Sequence, residues 1–141
     1  MRFDIQNNIP LVTSAAAALT SSDNTAMTAP SGTTGYNTQG FSAVNLLIAS
    51  ATLADADATF AVEIRESETT NGTYTAVADA DLVALETTVG FVFSEDNVVK
   101  QITVIPRKQF VRVVITPTGN SGAAPFTVVA QGLPSVKGTL A

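Results

Sequence analysis

The sequence contains no cysteine, no histidine and no tryptophan. The lack of cysteine excludes disulfide bonds and thiolate metal sites. The lack of histidine excludes the imidazole base of a Ser-His-Asp triad and the imidazole ligands of a zinc hydrolase. No stretch approaches the roughly eighteen apolar residues that a membrane-spanning helix requires. The common serine- and zinc-dependent hydrolytic mechanisms, and a transmembrane anchor, are therefore not expected.

Charged residues are also scarce, at 13% of the chain against 45% apolar residues. Twelve acidic and seven basic side chains give a formal charge of −5, which argues against a dedicated binder of nucleic acid or anionic membrane. Ten of the acids lie between Asp55 and Asp96, whereas five bases and no acid follow from Asn97 onward. Complementary charges of this kind could join identical subunits in a ring. The alternative is that folding mixes the segments and removes the asymmetry.

The 141 residues suit one domain with one hydrophobic core. Abundant Thr and Val favour strands, because β-branched side chains fit a pleated surface. Alternating or apolar runs predict strands over Phe41–Ser50, Ala58–Ser67, Tyr74–Val77, Thr87–Phe93, Val98–Ile105, Phe110–Thr116 and Pro125–Gln131. The pattern indicates an all-β fold, an antiparallel β-sandwich of jelly-roll or Greek-key (Ig-like) topology.

Two of these strands carry the clearest information on the core. In Ala58–Ser67 and Phe110–Thr116, alternation predicts Val62, Ile64, Val113 and Ile115 inside. The strand Phe41–Ser50 is apolar on both faces, since Leu47 and Ala49 oppose its other apolar residues. We therefore expect it to be a central strand covered on both sides.

The first 37 residues are less regular. The run IPLVTSAAAALTSS shows neither strict alternation nor a helical stripe, and a segment rich in Ser, Thr, Asn, Gly and Pro follows. We predict an extended N-terminal arm and loop over residues 1–37 and the sandwich over residues 38–141. The arm, with Leu11 and Val12 among its contacts, would lie against its own sandwich or a neighbouring subunit. The alternative is a first strand followed by a long loop.

The acidic residues do not form a recognisable catalytic or metal-binding motif. Asp55 and Asp57, like Asp79 and Asp81, lack the further ligands of a calcium loop and are expected to cap turns or a single helical turn. Glu63 and Glu66 should point to opposite faces of their strand, unlike the paired carboxylates of a glycosidase. Asn71-Gly72 predicts a hairpin turn. We predict no metal and no cofactor.

Three bases near the C-terminal strands are candidate contact residues. Arg107 and Lys108 lie at a predicted turn, and Arg112 lies on an outward strand face. Arginine is well suited to a carboxylate across an interface, so these residues are expected to contact acidic groups of a partner. Glu63 and Glu66 are expected to face solvent or a neighbour. The alternative is that the charges only keep the protein soluble.

Four segments carry a likeness to a known family: FSAVNLLIAS, FAVEIRESETTNGTYTAVADADLV, KQFVRVVITPTG and FTVVAQGLP. Over residues 38–134 the chain resembles the head decoration, or cement, proteins that stabilise the capsids of tailed bacteriophages. The resemblance implies a non-enzymatic protein that binds the outside of the assembled major capsid protein shell. It also implies a homotrimer or dimer on the outer surface of the virion, made in the host cytoplasm, with no nucleic-acid or membrane partner.

Two other functions are consistent with the same pattern. A carbohydrate- or receptor-binding module of a phage fibre or surface protein would also be a β-sandwich. A tail-tube or head-completion protein is less consistent, because the sequence lacks the long pairing loops expected of that class.

Overall fold

The computed structural model of the chain describes residues 11–134, with the burial of side chains given from residue 17 to residue 133. Within that range ten strands form two antiparallel sheets. They are β1 (Leu11–Ser21), β2 (Met27–Ala29), β3 (Tyr36–Asn37), β4 (Phe41–Ser50), β5 (Thr59–Ser67), β6 (Thr75–Ala76), β7 (Phe91–Val92), β8 (Val99–Val104), β9 (Phe110–Thr118) and β10 (Ala124–Pro134). Short 3₁₀ helices, Asp79–Asp81 and Glu86–Thr88, lie between β6 and β7.

The order of the strands identifies a jelly roll. Sheet A has the order β1-β10-β4-β8, and sheet B has the order β2-β9-β5-β6. In sheet B, β3 also pairs with β9, and β7 also pairs with β5. We count β2 with β3 as one interrupted strand, and β6 with β7 as another. When the resulting eight strands are renumbered in chain order, sheet A has the order 1-8-3-6 and sheet B has the order 2-7-4-5. This is the eight-stranded jelly-roll arrangement, so the immunoglobulin-like alternative is excluded.

The core lies between the two sheets. Val62, Ile64, Val113 and Ile115 are all buried, which confirms the predicted phase of β5 and β9. Three phenylalanine rings fill one end of the core: Phe126 makes edge-to-face contacts with Phe60 and Phe91, with ring centroids 5.1 and 5.3 Å apart. Each such buried side chain stabilises the fold by about 1.5–3 kcal/mol.

Most predicted strand positions are confirmed, but Thr87–Phe93 is not one strand. A 3₁₀ helix occupies Glu86–Thr88, and only Phe91–Val92 pair with β5. The Glu86 carboxylate accepts a hydrogen bond from the backbone N–H of Ile64, which fixes the helix against β5. Val89 and Phe91 are buried as predicted, whereas Phe93 is 43% exposed.

The N-terminal part of the described chain belongs to the sandwich, which differs from the predicted arm and from the predicted boundary at residue 38. β1 pairs with β10 in sheet A, and β2 and β3 pair with β9 in sheet B. The alternative of a first strand is therefore right for residues 11–21. Leu11 lies in β1 opposite Gln131. Residues 1–10 lie outside the described residues.

Candidate interaction surface

Glu66 is part of the fold and does not face solvent or a neighbour. It has the same strand parity as Val62 and Ile64, points towards sheet A and is only 7% exposed. Its Oε2 accepts hydrogen bonds from the backbone N–H groups of Arg107 and Lys108, at 3.1 and 3.2 Å. The carboxylate thereby holds the turn that connects β8 of sheet A to β9 of sheet B. Glu63 points to the opposite face, as predicted, and forms an ion pair with Arg65 at 2.6 Å.

Arg107 is paired with an acid of its own chain. Its Nη2 lies 2.6 Å from Oδ1 of Asp81, and its Nε donates to the same oxygen at 2.8 Å. This hydrogen bond and the nearby positive charge hold the pKa of Asp81 below its usual value, and Asp81 in turn raises the pKa of Arg107. The Asp81 side chain is 12% exposed and the Arg107 side chain 67% exposed. Arg107 is therefore oriented by Asp81 but remains accessible at the surface.

Lys108 and Arg112 also have intramolecular contacts. The Lys108 ammonium donates to the hydroxyl of Thr75 at 2.8 Å. The Arg112 guanidinium lies 3.9 Å above the centre of the Tyr74 ring, a cation–π contact. Burial raises the pKa of Tyr74, and the charge of Arg112 partly offsets that effect. Arg112 and Arg65 are opposite each other on the outer face of sheet B.

Folding pairs some of these acids and bases within the chain, so part of the charge asymmetry of the sequence is removed. Lys100 pairs with Glu95 at 2.8 Å, and Arg107 pairs with Asp81 across twenty-six residues of sequence. Lys100 also lowers the pKa of Glu95 through their hydrogen bond. These two pairs use two of the acids and two of the bases within the chain, and a ring of subunits joined by the remaining charges stays a prediction.

The aspartate pairs act in turns. The Asp55 carboxylate accepts hydrogen bonds from the backbone N–H groups of Asp57 and Ser121, at 3.0 and 2.7 Å, and from the Ser121 hydroxyl. The hydrogen bond from the Ser121 hydroxyl is the largest cause of the lowered pKa of Asp55. Asp79–Asp81 is a single 3₁₀ turn, but the predicted capping by these aspartates is wrong: the N-cap is Ala78, no side chain caps the turn, and Asp81 pairs with Arg107 instead. Among residues 11–134, no group of three or more acidic side chains is placed so that it could hold a metal ion.

The outer face of sheet A is the most distinctive surface of the described chain. Side chains on each strand alternate, and those facing away from sheet B can be assigned from the strand pairings. None of fourteen such residues is charged: Ala18, Thr20, Ala43, Asn45, Leu47, Ala49, Val99, Gln101, Thr103, Pro125, Thr127, Val129, Gln131 and Leu133. We call this set the uncharged face.

The uncharged face is built largely from small or β-branched side chains. Asn45 is hydrogen-bonded to Gln101 and Thr103 at 3.4 and 3.2 Å, which satisfies part of its polar surface within the face. Val99 and Leu133 are 61% and 39% exposed. Four strands about 4.8 Å apart and about nine residues long span about 600 Å². That area approaches the roughly 800 Å² per partner of a standard protein interface.

The two sheets differ in this respect. The outer face of sheet B carries Glu63, Arg65 and Arg112. The uncharged face was not among the predicted contact residues, although one sequence signal indicated it. The strand Phe41–Ser50 is apolar on both sides, yet Leu47 and Ala49 are only half-buried in the structure. A second covered side was predicted, and the described residues leave this side partly exposed.

Comparison with known proteins adds no family assignment. The chain matches no protein-family model. A search of curated proteins also finds no significant relative. Within residues 11–134, no helix has the length and apolar character needed to cross a membrane. The likeness to decoration proteins therefore remains a prediction from the sequence.

Proposed function

We propose that this protein is a structural virion protein that decorates the outside of an assembled capsid shell and stabilises it. It acts without catalysis and without a cofactor. It binds the major capsid protein through the uncharged face of sheet A and forms a small homo-oligomer, a trimer or a dimer. The observation that carries the proposal is the absence of charge from the fourteen outward residues of sheet A whose side chains the structure describes, in a chain with nineteen charged residues (twelve acidic and seven basic).

The chemistry of the uncharged face suits a broad protein interface. Burying a charge without a partner costs several kcal/mol, whereas Ala, Thr and Val side chains can be buried without that cost. The side-chain amides of half-buried Asn45 and exposed Gln101 are already hydrogen-bonded to each other. A protein that binds only the assembled shell stabilises that shell by mass action. The sequence likeness to decoration proteins supports the same function.

The experiment compares two threonines at matched positions. Thr127 is exposed on β10 in the uncharged face, and Thr116 is exposed on β9 on the outer face of sheet B. We expect Thr127→Glu to weaken co-sedimentation with expanded shells of the encoding phage by at least about tenfold, since it buries an unpaired charge. Thr116→Glu should bind like the parent protein. Equal binding by both variants, or no binding by the parent, would contradict the proposal.

The jelly roll also favours a second candidate function, because lectin domains share this architecture. In this alternative the protein is a carbohydrate- or receptor-binding module of a phage fibre or surface protein. Sugar rings usually stack on aromatic side chains, and the uncharged face contains none. Glycan binding by the purified protein in solution, combined with failure to bind shells, would favour this second function.

A further inference from the structure

Arg112 is the predicted contact residue whose charge the fold offsets least. Arg107 and Lys108 each have a polar partner within the chain. Within residues 11–134 the guanidinium of Arg112 has neither an ion pair nor a hydrogen-bond acceptor, and its contact is the ring of Tyr74, 3.9 Å away. Its Nε is buried, whereas its two Nη groups reach the surface. A charged donor that is buried without an acceptor is costly and requires a physical explanation.

The guanidinium of Arg112 is held in a fixed position over the Tyr74 ring. Tyr74 is only 6% exposed, and its hydroxyl donates to the Thr70 carbonyl at 2.9 Å. The connection between β2 and β3 packs so closely against the ring that a Cβ atom at Gly35 would overlap the Tyr74 hydroxyl. Two segments of the chain therefore hold the ring in place. A cation that is already oriented loses little conformational entropy when it binds, which favours affinity.

A second arginine lies directly opposite Arg112 on the neighbouring strand. Arg65 of β5 is the register partner of Arg112 of β9 on the outer face of sheet B, and the Cα atoms of such a pair are about 4.5–5.5 Å apart. One oxygen of Glu63 binds Nε and Nη2 of Arg65 at 2.7 and 2.6 Å, which leaves Nη1 able to donate elsewhere. Glu63 thus offsets one of the two positive charges. Like charges directly opposite each other destabilise a sheet, and an anion between them would remove that repulsion.

We propose that Arg65 and Arg112, which we call the arginine pair, bind an oxyanion on the outer face of sheet B. A guanidinium presents a planar fork of N–H donors that matches two oxygens of a carboxylate or a phosphate. The oxyanion is supplied either by an acidic side chain of a partner protein or by free phosphate, since both present paired oxygens to the fork. The site lies on the sheet opposite the uncharged face. It is therefore independent of the proposed shell binding and stays accessible when the uncharged face is covered.

Heteronuclear NMR of the arginine side chains tests the site in the full chain, which has four arginines. Inorganic phosphate and a short polyglutamate peptide are titrated separately at neutral pH and constant ionic strength. The Nε signals of Arg65 and Arg112 should shift saturably, with a dissociation constant of about millimolar magnitude. Arg107 is the internal control, because Asp81 binds its Nε and Nη2 as Glu63 binds those of Arg65.

The two titrations distinguish the sources of the oxyanion. A response to phosphate alone identifies a free-ion site, and a response to polyglutamate identifies a site for a partner's carboxylate. Either response supports the proposal when it is confined to the arginine pair. The absence of a saturable shift with both probes, or an equal shift of the Arg107 signal, would overturn it.

Substitutions provide the matched comparison, with binding followed on the Arg65 signal. Arg112→Gln should weaken binding by at least about tenfold, because one guanidinium fork is lost. Arg112→Lys keeps the charge without the fork and should recover only part of that loss. Arg107→Gln should bind like the parent protein. Cooperative melting confirms that each variant folds, and Arg65→Gln, followed on the Arg112 signal, replaces Arg112→Gln if the latter does not fold. Equal binding by the Arg112→Gln (or Arg65→Gln) and Arg107→Gln variants would overturn the proposal.

Discussion

Replacement of Glu66 tests whether a buried carboxylate holds the connection between the two sheets. Glu66 is 7% exposed, and its Oε2 accepts the backbone N–H groups of Arg107 and Lys108 at 3.1 and 3.2 Å. Hydrogen bonds to a charged group contribute about 1.5–3 kcal/mol each. Because both donors share one oxygen and lie in a turn at the surface, we take the lower part of the range. Glu66→Ala should therefore lower the free energy of unfolding by about 3–4 kcal/mol.

Two further variants define the cause. Glu66→Gln keeps an oxygen acceptor but loses the charge, so we expect about half the effect of Glu66→Ala. Glu63→Ala removes a carboxylate from the same strand but from an exposed ion pair, and should cost less than about 1 kcal/mol. Urea unfolding at neutral pH measures all three differences. If Glu66→Ala and Glu63→Ala agreed within about 0.5 kcal/mol, Glu66 would not hold the turn.

Two more substitutions test the aromatic cluster of the core and the ion pair between Arg107 and Asp81. Phe126→Ala removes the ring that contacts both Phe60 and Phe91. It should lower the free energy of unfolding in urea by about 3–5 kcal/mol. A loss below about 1 kcal/mol would show that the aromatic cluster is not central to the core. Arg107 lowers the pKa of Asp81, so this carboxylate contributes stability above its unfolded pKa of about 4 and loses it as pH falls through the lower folded pKa. Asp81→Asn should thus have a lower free energy of unfolding than the parent protein at about pH 7 and nearly the same free energy at about pH 2. An equal difference at both pH values would contradict this coupling.

The strands that could be predicted from the sequence are those in which apolar and polar residues alternate within the strand itself. Alternation in β5 and β9 places Ile64 and Val113 in the core without knowledge of their partners. The sequence also contained a signal for Glu66, since this residue has the same parity as Ile64 and therefore points inward. We expected a solvent-facing or neighbour-facing glutamate because a carboxylate is costly to bury. The two backbone N–H groups that offset this cost come from a turn more than forty residues away in the sequence.

Other features depend on partners that a local pattern does not reveal. The alanine run of β1 suits a helix, an arm or a strand, and its pairing with β10 joins the two ends of the described chain. From the sequence, Arg107 was predicted to contact an acid of a partner. The structure shows that it pairs with Asp81 of its own chain. The sequence indicated only the Phe41–Ser50 part of the uncharged face, because its fourteen residues come from four strands whose order is set by the jelly roll.

A reconstruction of the intact particle at side-chain resolution tests the central proposal most directly. We predict this protein on the outer surface of the shell, with the uncharged face of sheet A, including Thr127 and Leu47, in contact with the major capsid protein. Sheet B, with Glu63 and Arg112, should face away from the shell. A particle that lacks the protein, or one in which sheet B meets the shell and the uncharged face is exposed to solvent, would contradict the account.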